Sequence, residues 1–405
     1  MVQESENISL TLKIQIYPDK EQQRKLLRTM DMYTRACDWL SNNAFKKGVY
    51  NAQELQKEYY DVLRNNYHLK AQMAVSVTRT VAAKYKVLRT QLKHDPWTYT
   101  DKETGEYYKY PRDLSWLTYP IRFKSLQLDL VRERDWCFKK ECISLNTIED
   151  RITVPFNSKT NNGIFDKSIH FGTARVVYKN GLWFFHISYS VDSEESEITN
   201  IVGIDRGIVN MYYLYDSRGN SDNKPGDKLQ SKRDKYQKTR SSPQSKGTKG
   251  AKRVLKRISG RENRWMQDVN HCAAKTLVNK YGKGTLFVLE DLVDVSFDNL
   301  STDKSLNYEK RSWSFYDFQL KLEYKAKMIG STVAYIDPSY TSQRCPVCGT
   351  IDKDARNRNE HKYFCKKCGF IENDDLVGAM NIYTLGVRLL NGEDNPHYIK
   401  PKTSA

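Results

Sequence analysis

No stretch of this 405-residue chain approaches the ~18 consecutive apolar residues that a membrane span requires. The opening residues, Met1 to Glu6, also lack the basic and then apolar pattern of a secretory leader, so a cytoplasmic protein is expected. Histidine is scarce, at seven scattered residues, and neither a Ser/His/Asp arrangement nor a Walker phosphate loop occurs. Those gaps remove the common side-chain nucleophiles and nucleotide cradles as explanations. Acidic residues are in deficit: 49 Asp and Glu face 66 Lys and Arg, a net charge of +17. With a pI near 9.3 the expected partner is a polyanion, nucleic acid rather than a membrane, and in a prokaryote the nucleoid.

What the chain does have is a cluster of cysteines. Cys345 and Cys348 form one C-x2-C pair, Cys365 and Cys368 another, sixteen residues apart, and Gly349 and Gly369 follow the pairs. Two such pairs at this spacing read as one tetrahedral zinc ion held by four thiolates, whereas a redox site needs a single pair. Four thiolates close the coordination sphere, so the zinc is structural. The other cysteines, Cys37, Cys137, Cys142 and Cys272, stand apart in apolar or amphipathic contexts and are expected as buried thiols in a reducing compartment.

At 39% hydrophobic residues, the chain is long enough for two or three domains. Residues 7–17 alternate apolar and polar, which predicts a half-buried strand. Apolar residues at spacings of three and four then predict helices over about 19–47, 52–65 and 71–94, the last with a basic face. Residues 95–118 read as an irregular loop. Strands at 175–178 and 182–189 flank Asn180-Gly181, a type I′ hairpin signal that turns Trp183, Phe185 and Ile187 to one side and makes His186 a packed strand residue. A polar stretch at 192–200 marks the main domain boundary. Two strands follow within 201–216, a helix at 251–281, a strand at 285–290, a helix from Trp313 to Met328 and a strand at 331–336. Between 228 and 264, two acids stand among fourteen lysines and arginines, and the Ser/Gly/Pro-rich centre is expected to be ordered only by a partner.

Asp205 and Glu290 each end an apolar strand, where an isolated carboxylate is costly. Asp374 and Asp375 open a helix; Asp374 reads as its cap and Asp375 as a ligand. Asp205, Glu290 and Asp375 converging would bind hard cations, Mg²⁺ or Mn²⁺, through oxygen. Two such ions about 4 Å apart suit phosphodiester hydrolysis without a side-chain base.

In order, Gly203-Ile204-Asp205-Arg206-Gly207, Leu289-Glu290-Asp291-Leu292, Thr341 to Gly349 with its cysteine pair, Cys365 to Gly369, and Asn373 to Ile382 resemble the TnpB family. These are transposon-encoded RNA-guided nucleases related to miniature type V CRISPR effectors. Residues 321–338 fit as well. The chain departs at Val377-Gly378, where relatives often carry Asn-Ala. The resemblance implies an α/β multidomain fold: an RNase H-like RuvC nuclease domain with an inserted four-cysteine zinc ribbon, preceded by a β-barrel wedge domain interrupted by a helical recognition domain. The implied divisions are 1–18 and 118–194 for the wedge, 19–117 for recognition, 200–340 and 373–390 for the RuvC-like domain, 341–372 for the ribbon and 391–405 for a tail. It further implies an Asp205-Glu290-Asp375 catalytic triad with two Mg²⁺ (or Mn²⁺) ions, a guide RNA that pairs with one strand of target double-stranded DNA, and recognition of a short flanking motif. Lys232, Arg233, Lys235, Lys252, Arg253, Lys256 and Arg257 are the expected phosphate contacts, and a monomer is favoured. The same chemistry would serve a CRISPR-associated miniature effector. A guide-independent RNase H-class resolvase or transposase and a non-catalytic RNA-guided repressor are the alternatives.

Overall fold

The computed structural model describes residues 8–157, 169–191, 196–207, 209–292, 315–357 and 359–400. Its contacts divide the chain into two units, Ser9–Val191 and Met1–Ile8 with Asp192–Ala405.

In the first unit the period-two opening forms β1 (Ile8–Ile16), which buries Leu12, Ile14 and Ile16. Asp19 then accepts from the Gln22 amide at 2.8 Å, and Gln22 accepts from the Asp19 amide at 3.2 Å. This capping box starts α1 (Lys20–Lys47). α2 (Ala52–Asn65) and α3 (Ala71–His94) lie where the apolar spacing predicts. The segment read as an irregular loop instead holds an antiparallel hairpin of β2 (Trp97–Thr100) and β3 (Tyr107–Tyr110), then a 3₁₀ turn at Leu114–Trp116. Its strands have four residues each, too short for a period to declare itself, and neither buries a face.

β4 (Leu128–Leu130), β8 (Ile169–Lys179) and β9 (Leu182–Val191) join β1 in a sheet of order β1-β9-β8-β4, while β5 (Trp136–Lys139), β6 (Cys142–Asn146) and β7 (Arg151–Pro155) form a second. The β8–β9 turn has φ of 55° at Asn180 and 80° at Gly181, as a type I′ turn demands. Trp183, Phe185 and Ile187 are buried and His186 lies half-buried on the other face. Helices and both sheets share one apolar core in which Cys37 is fully buried.

The second unit is built on a five-stranded sheet of order β12-β11-β10-β13-β14. β10 (Asn200–Asp205), β11 (Asn210–Asp216) and β12 (Ser221–Pro225) are antiparallel neighbours; β13 (Thr285–Glu290) and β14 (Thr332–Ile336) run parallel to β10. Alternation along the strands sends Val202, Ile204, Phe287 and Leu289 to one face, against α6 (Arg261–Tyr281) and α7 (Phe315–Lys327). The Trp313–Ser314 start expected for the last helix lies outside the described residues. Ile201, Leu286 and Val288 face the other way, onto α8 (Asp374–Leu390) through Ile382 and Leu385. Burying each of these side chains contributes roughly 1.5–3 kcal/mol, which fixes the sheet between two helical layers.

The basic tract is helical. α4 (Asp227–Lys246) runs through Pro243, and α5 (Lys249–Ile258) follows Gly247. The hydroxyls of Thr239, Ser241 and Ser245 donate back to carbonyls of the same helix at 2.6, 2.9 and 2.9 Å, so a serine-rich stretch is compatible with a helix here. The helix expected over 251–281 is thus two, broken at Ser259-Gly260. Cys272 is exposed on α6, against the expectation of burial, because it sits on the helix face away from Ala273, Ala274 and Leu277.

Candidate functional site

The parallel register of β10 and β13, Ile204 against Leu289, sets Asp205 and Glu290 at the same level at the ends of neighbouring strands. Both follow the parity of Ile201 and Leu286, so both stand on the α8 face. α8 is able to reach them because it approaches very closely. A Cβ added at Gly203 would lie 2.4 Å from the Ala379 carbonyl oxygen, and one at Gly378 would lie 2.5 Å from Asp205 Oδ2. Gly378, a departure from the family pattern, is therefore the residue against which the Asp205 carboxylate packs. Asn373, rather than Asp374, caps α8, accepting from the amides of Asp375 and Leu376 at 3.0 and 3.2 Å. This frees Asp374 to turn inward, where it is fully buried and takes the Arg356 Nε at 2.7 Å.

The remaining groups hold the carboxylates in place. Asn210 donates to Asp375 Oδ2 at 2.8 Å and is itself held by Asn223. Thr341 donates to Glu290 Oε1 at 2.5 Å, and Arg356 lies 3.5 Å from Asp375. Asn381 of α8 donates to the Thr341 and Arg344 carbonyls at 2.8 and 2.7 Å, fastening the ribbon entrance to the helix. Arg206 donates to the Glu290 carbonyl at 2.6 Å. Asp205 is pushed well above the ordinary carboxylate range by loss of water, then by Glu290 and Asp375; Arg356 and Arg206 offset part of this. Loss of water likewise raises Glu290, opposed by the Thr341 bond and the same arginines. Glu290 and Asp375 thus each raise the proton affinity of Asp205, and carboxylate oxygens are the donors that hard cations take. His361, Asp374 and Asp375 bring ligand atoms within 4.8 Å of one another; Asp205 and Glu290 stand outside that group. Of these positions, sequence reasoning assigned the triad; it missed Arg356, Asn210 and the orienting roles of Thr341 and Asn381.

The four cysteines converge, with ligand atoms all within 4.8 Å; Cys345–Cys368 and Cys348–Cys365 sulfurs lie 3.6 and 3.5 Å apart. Zinc–sulfur bonds of about 2.3 Å in a tetrahedron need sulfurs roughly 3.8 Å apart, so the cage fits that ion. The two knuckles are built alike. The amides of Cys345 and Cys365 donate to Thr350 and Phe370 carbonyls, and Gly349 and Gly369, at φ of 74° and 75°, donate back to each first cysteine. The ribbon sheet, β15 (Arg356–Asn357), β16 (Lys362–Phe364) and β17 (Ile371–Asn373), carries Arg356 to the acids.

Of the expected phosphate contacts, Lys252, Arg253, Lys256 and Arg257 are exposed on one side of α5, and Lys232 and Lys235 are exposed on α4. Lys232 sits over the Trp265 ring at 4.7 Å. Arg233 is fully buried, which removes it from contact with phosphate; neighbouring surface cations share its composition but not its helix face.

Fold and site together define an α/β protein with a carboxylate cluster at the ends of parallel strands and a four-cysteine ribbon beside it. Residues 184–293 match the family described as probable transposase, and residues 315–382 the one described as Cas12f1-like, TNB domain. The chain is 28% identical over 239 residues to TnpB-like protein MJ0751 of Methanocaldococcus jannaschii, covering 58% of this chain and 74% of that one. It is 29% identical over 225 residues to the CRISPR-associated endodeoxyribonuclease Cas12f1 of Syntrophomonas palmitatica, covering 51% of this chain but only 43% of that one. The solved Cas12f1-sgRNA-target DNA complex shares the fold at TM-score 0.58 and 15% identity, over 93% of this chain and 99% of that one. Over part of its length the chain is similar to TnpB-like and Cas12f1 proteins, the resemblance its motifs indicate. Among the described residues no helix is long and apolar enough to cross a membrane.

Proposed function

We propose that this chain is an RNA-guided DNA endonuclease whose cutting site is the Asp205, Glu290 and Asp375 cluster. The observation that carries the reading is the convergence of these acids from β10, β13 and α8, supported by the names of the relatives. The sheet order, with two parallel strands added beside an antiparallel trio, is that expected of an RNase H-like RuvC domain, and the first unit fits a wedge domain interrupted by recognition helices.

Asp205, Glu290 and Asp375 would hold two divalent cations through their carboxylate oxygens. The chemistry such ions supply when bound is activation of a water and stabilisation of the leaving phosphodiester oxygen. The chain's own part is positioning. Thr341 fixes the Glu290 carboxylate, Asn210 and Arg356 orient Asp375, and the absence of a side chain at Gly378 gives Asp205 its place. The four cysteines would hold one zinc ion, whose ribbon positions Arg356 and Thr341. A guide RNA selects the target by base pairing, and exposed cations of α4 and α5 bind its phosphates.

The test is to express the gene with its native flanking DNA, sequence the RNA that copurifies, and offer the complex a matching DNA with randomised flanks. A discrete RNA and Mg²⁺-dependent cutting beside a fixed flank, lost in Asp205→Ala, is the expected result. A smear of unrelated cellular RNA with cutting retained would give first place to a guide-independent nuclease. Discrete RNA and binding with no cutting would make the chain a repressor.

A further inference from the structure

One face of the β2–β3 hairpin is a ladder of aromatic rings open to solvent. Trp97 pairs with Tyr110 and Tyr99 with Tyr108 across the strands, so the pleat turns all four to one side. Successive rings lie close to parallel: Trp97 and Tyr99 at 5.8 Å and 4°, Tyr99 and Tyr108 at 6.4 Å and 24°, Tyr108 and Tyr110 at 6.4 Å and 19°. Trp116 leans on Trp97 at 6.4 Å. Exposure runs from 37% at Tyr108 to 48% at Trp116. The foot of the hairpin is fixed, since Arg112 Nε donates to the Asp95 carbonyl at 2.7 Å and its guanidinium pairs with the Asp95 carboxylate. Lys86, Arg89 and Lys93 are exposed on α3 at spacings of three and four, a stripe that runs to the end of the helix from which the hairpin departs.

We propose that ladder and stripe together bind an unpaired nucleic-acid strand, the cations meeting its phosphates and the rings stacking on its bases. Aromatic platforms flanked by cations are the physical means of holding single strands without reading their sequence. A second copy of this chain is the poorer occupant, because it would bring the same cationic stripe and a net charge of +17 against the first. The proposal does not require the carboxylate site to cut, so it is tested on full-length Asp205→Ala protein freed of copurified nucleic acid.

The probes are a 20-nucleotide single-stranded RNA carrying 5-iodouridine, its DNA counterpart with 5-iododeoxyuridine, and a 20-base-pair DNA duplex. Irradiation is expected to crosslink a single strand within residues 97–116. The quadruple variant Trp97→Ala, Tyr99→Ala, Tyr108→Ala and Tyr110→Ala is expected to bind single strands about tenfold more weakly, or worse, with duplex binding and melting temperature unchanged. Lys86→Gln, Arg89→Gln and Lys93→Gln together should flatten the salt dependence on a single strand by about 2 in log–log slope. Whether RNA or DNA suffers the larger loss identifies the strand held. Absence of crosslinks in this segment with unchanged affinity overturns the proposal, as does an equal loss on the duplex. A four-ring variant that shifts from dimer to monomer in sedimentation, with strand affinity intact, overturns it in favour of self-association.

Discussion

The charge state of Asp205 is where residue chemistry is most exposed to test. Its carboxyl, like that of Glu290, holds its proton more tightly in the folded metal-free protein than in the unfolded chain. The folded state therefore binds the extra proton, and stability is greatest below the unfolded values of about 4. It is lost as pH rises through the window between those values and the raised native ones. Divalent cations held there as proposed would reverse the trend by compensating the charge. Melting in EDTA from pH 5 to 8 should show falling stability, and the rise on adding Mg²⁺ should grow with pH. Asp205→Asn should flatten the EDTA profile, melt higher than the parent at neutral pH without metal, and abolish cutting; a parent profile independent of pH would refute the account. Gly378→Ala tests the neighbouring contact. Its methyl would collide with Asp205 Oδ2, an overpacking cost of about 1–3 kcal/mol read as a lower melting temperature with weaker Mg²⁺ stabilisation. Asp205 and Glu290 were legible in the sequence because a carboxylate ending an apolar strand is conspicuous. Arg356 was not, because it reaches Asp374 and Asp375 across the ribbon and nothing local to residues 353–357 records that destination.

At the scale of elements the ribbon is the part whose removal should act at a distance. It delivers Arg356 through β15 and Thr341 through its entrance, while Asn381 of α8 grips that entrance. Cys345→Ser is expected to drop the zinc content from one ion per chain toward none, measured by elemental analysis. Loss of such outer partners typically weakens metal binding by about 10–100-fold, so Mg²⁺ titration by calorimetry should show the carboxylates affected as well. Unchanged Mg²⁺ affinity in a zinc-free protein would mean that ribbon and acids work separately. The knuckles were readable from spacing because geometry constrains zinc thiolates tightly. The long helices and the Asn180-Gly181 hairpin were readable from period and turn chemistry. The β2–β3 hairpin and α4 were not, for opposite reasons. One has strands too short to show a period and no buried face; the other is rich in serine and carries Pro243, both signals against a helix, yet its hydroxyls are accommodated by donating to carbonyls of the same helix.

For the molecule as a whole, net charge of +17 predicted a polyanionic partner but left open which cations meet it. Helix geometry narrows the choice. Lys252, Arg253, Lys256 and Arg257 recur at steps of one, four and five along α5 and share its exposed side, while Val254, Leu255 and Ile258 are partly buried. Arg233 lies in the same tract yet is fully buried, so the two sets should respond to mutation in opposite ways. Each phosphate neutralised on a single strand contributes about 0.7 to the slope of log affinity against log salt. Changing the four α5 residues to glutamine should therefore lower affinity for a 20-nucleotide RNA at low salt and flatten that slope by up to about 3. The melting temperature should stay near the parent value, because exposed substitutions of this kind usually move stability by less than about 0.5 kcal/mol. Arg233→Ala should do the reverse, lowering the melting temperature while leaving the slope where it was. If instead the α5 variant kept the full slope, the strand would be neutralised elsewhere on the surface, and the exposed cations of α4 and the α3 stripe would be the next to change.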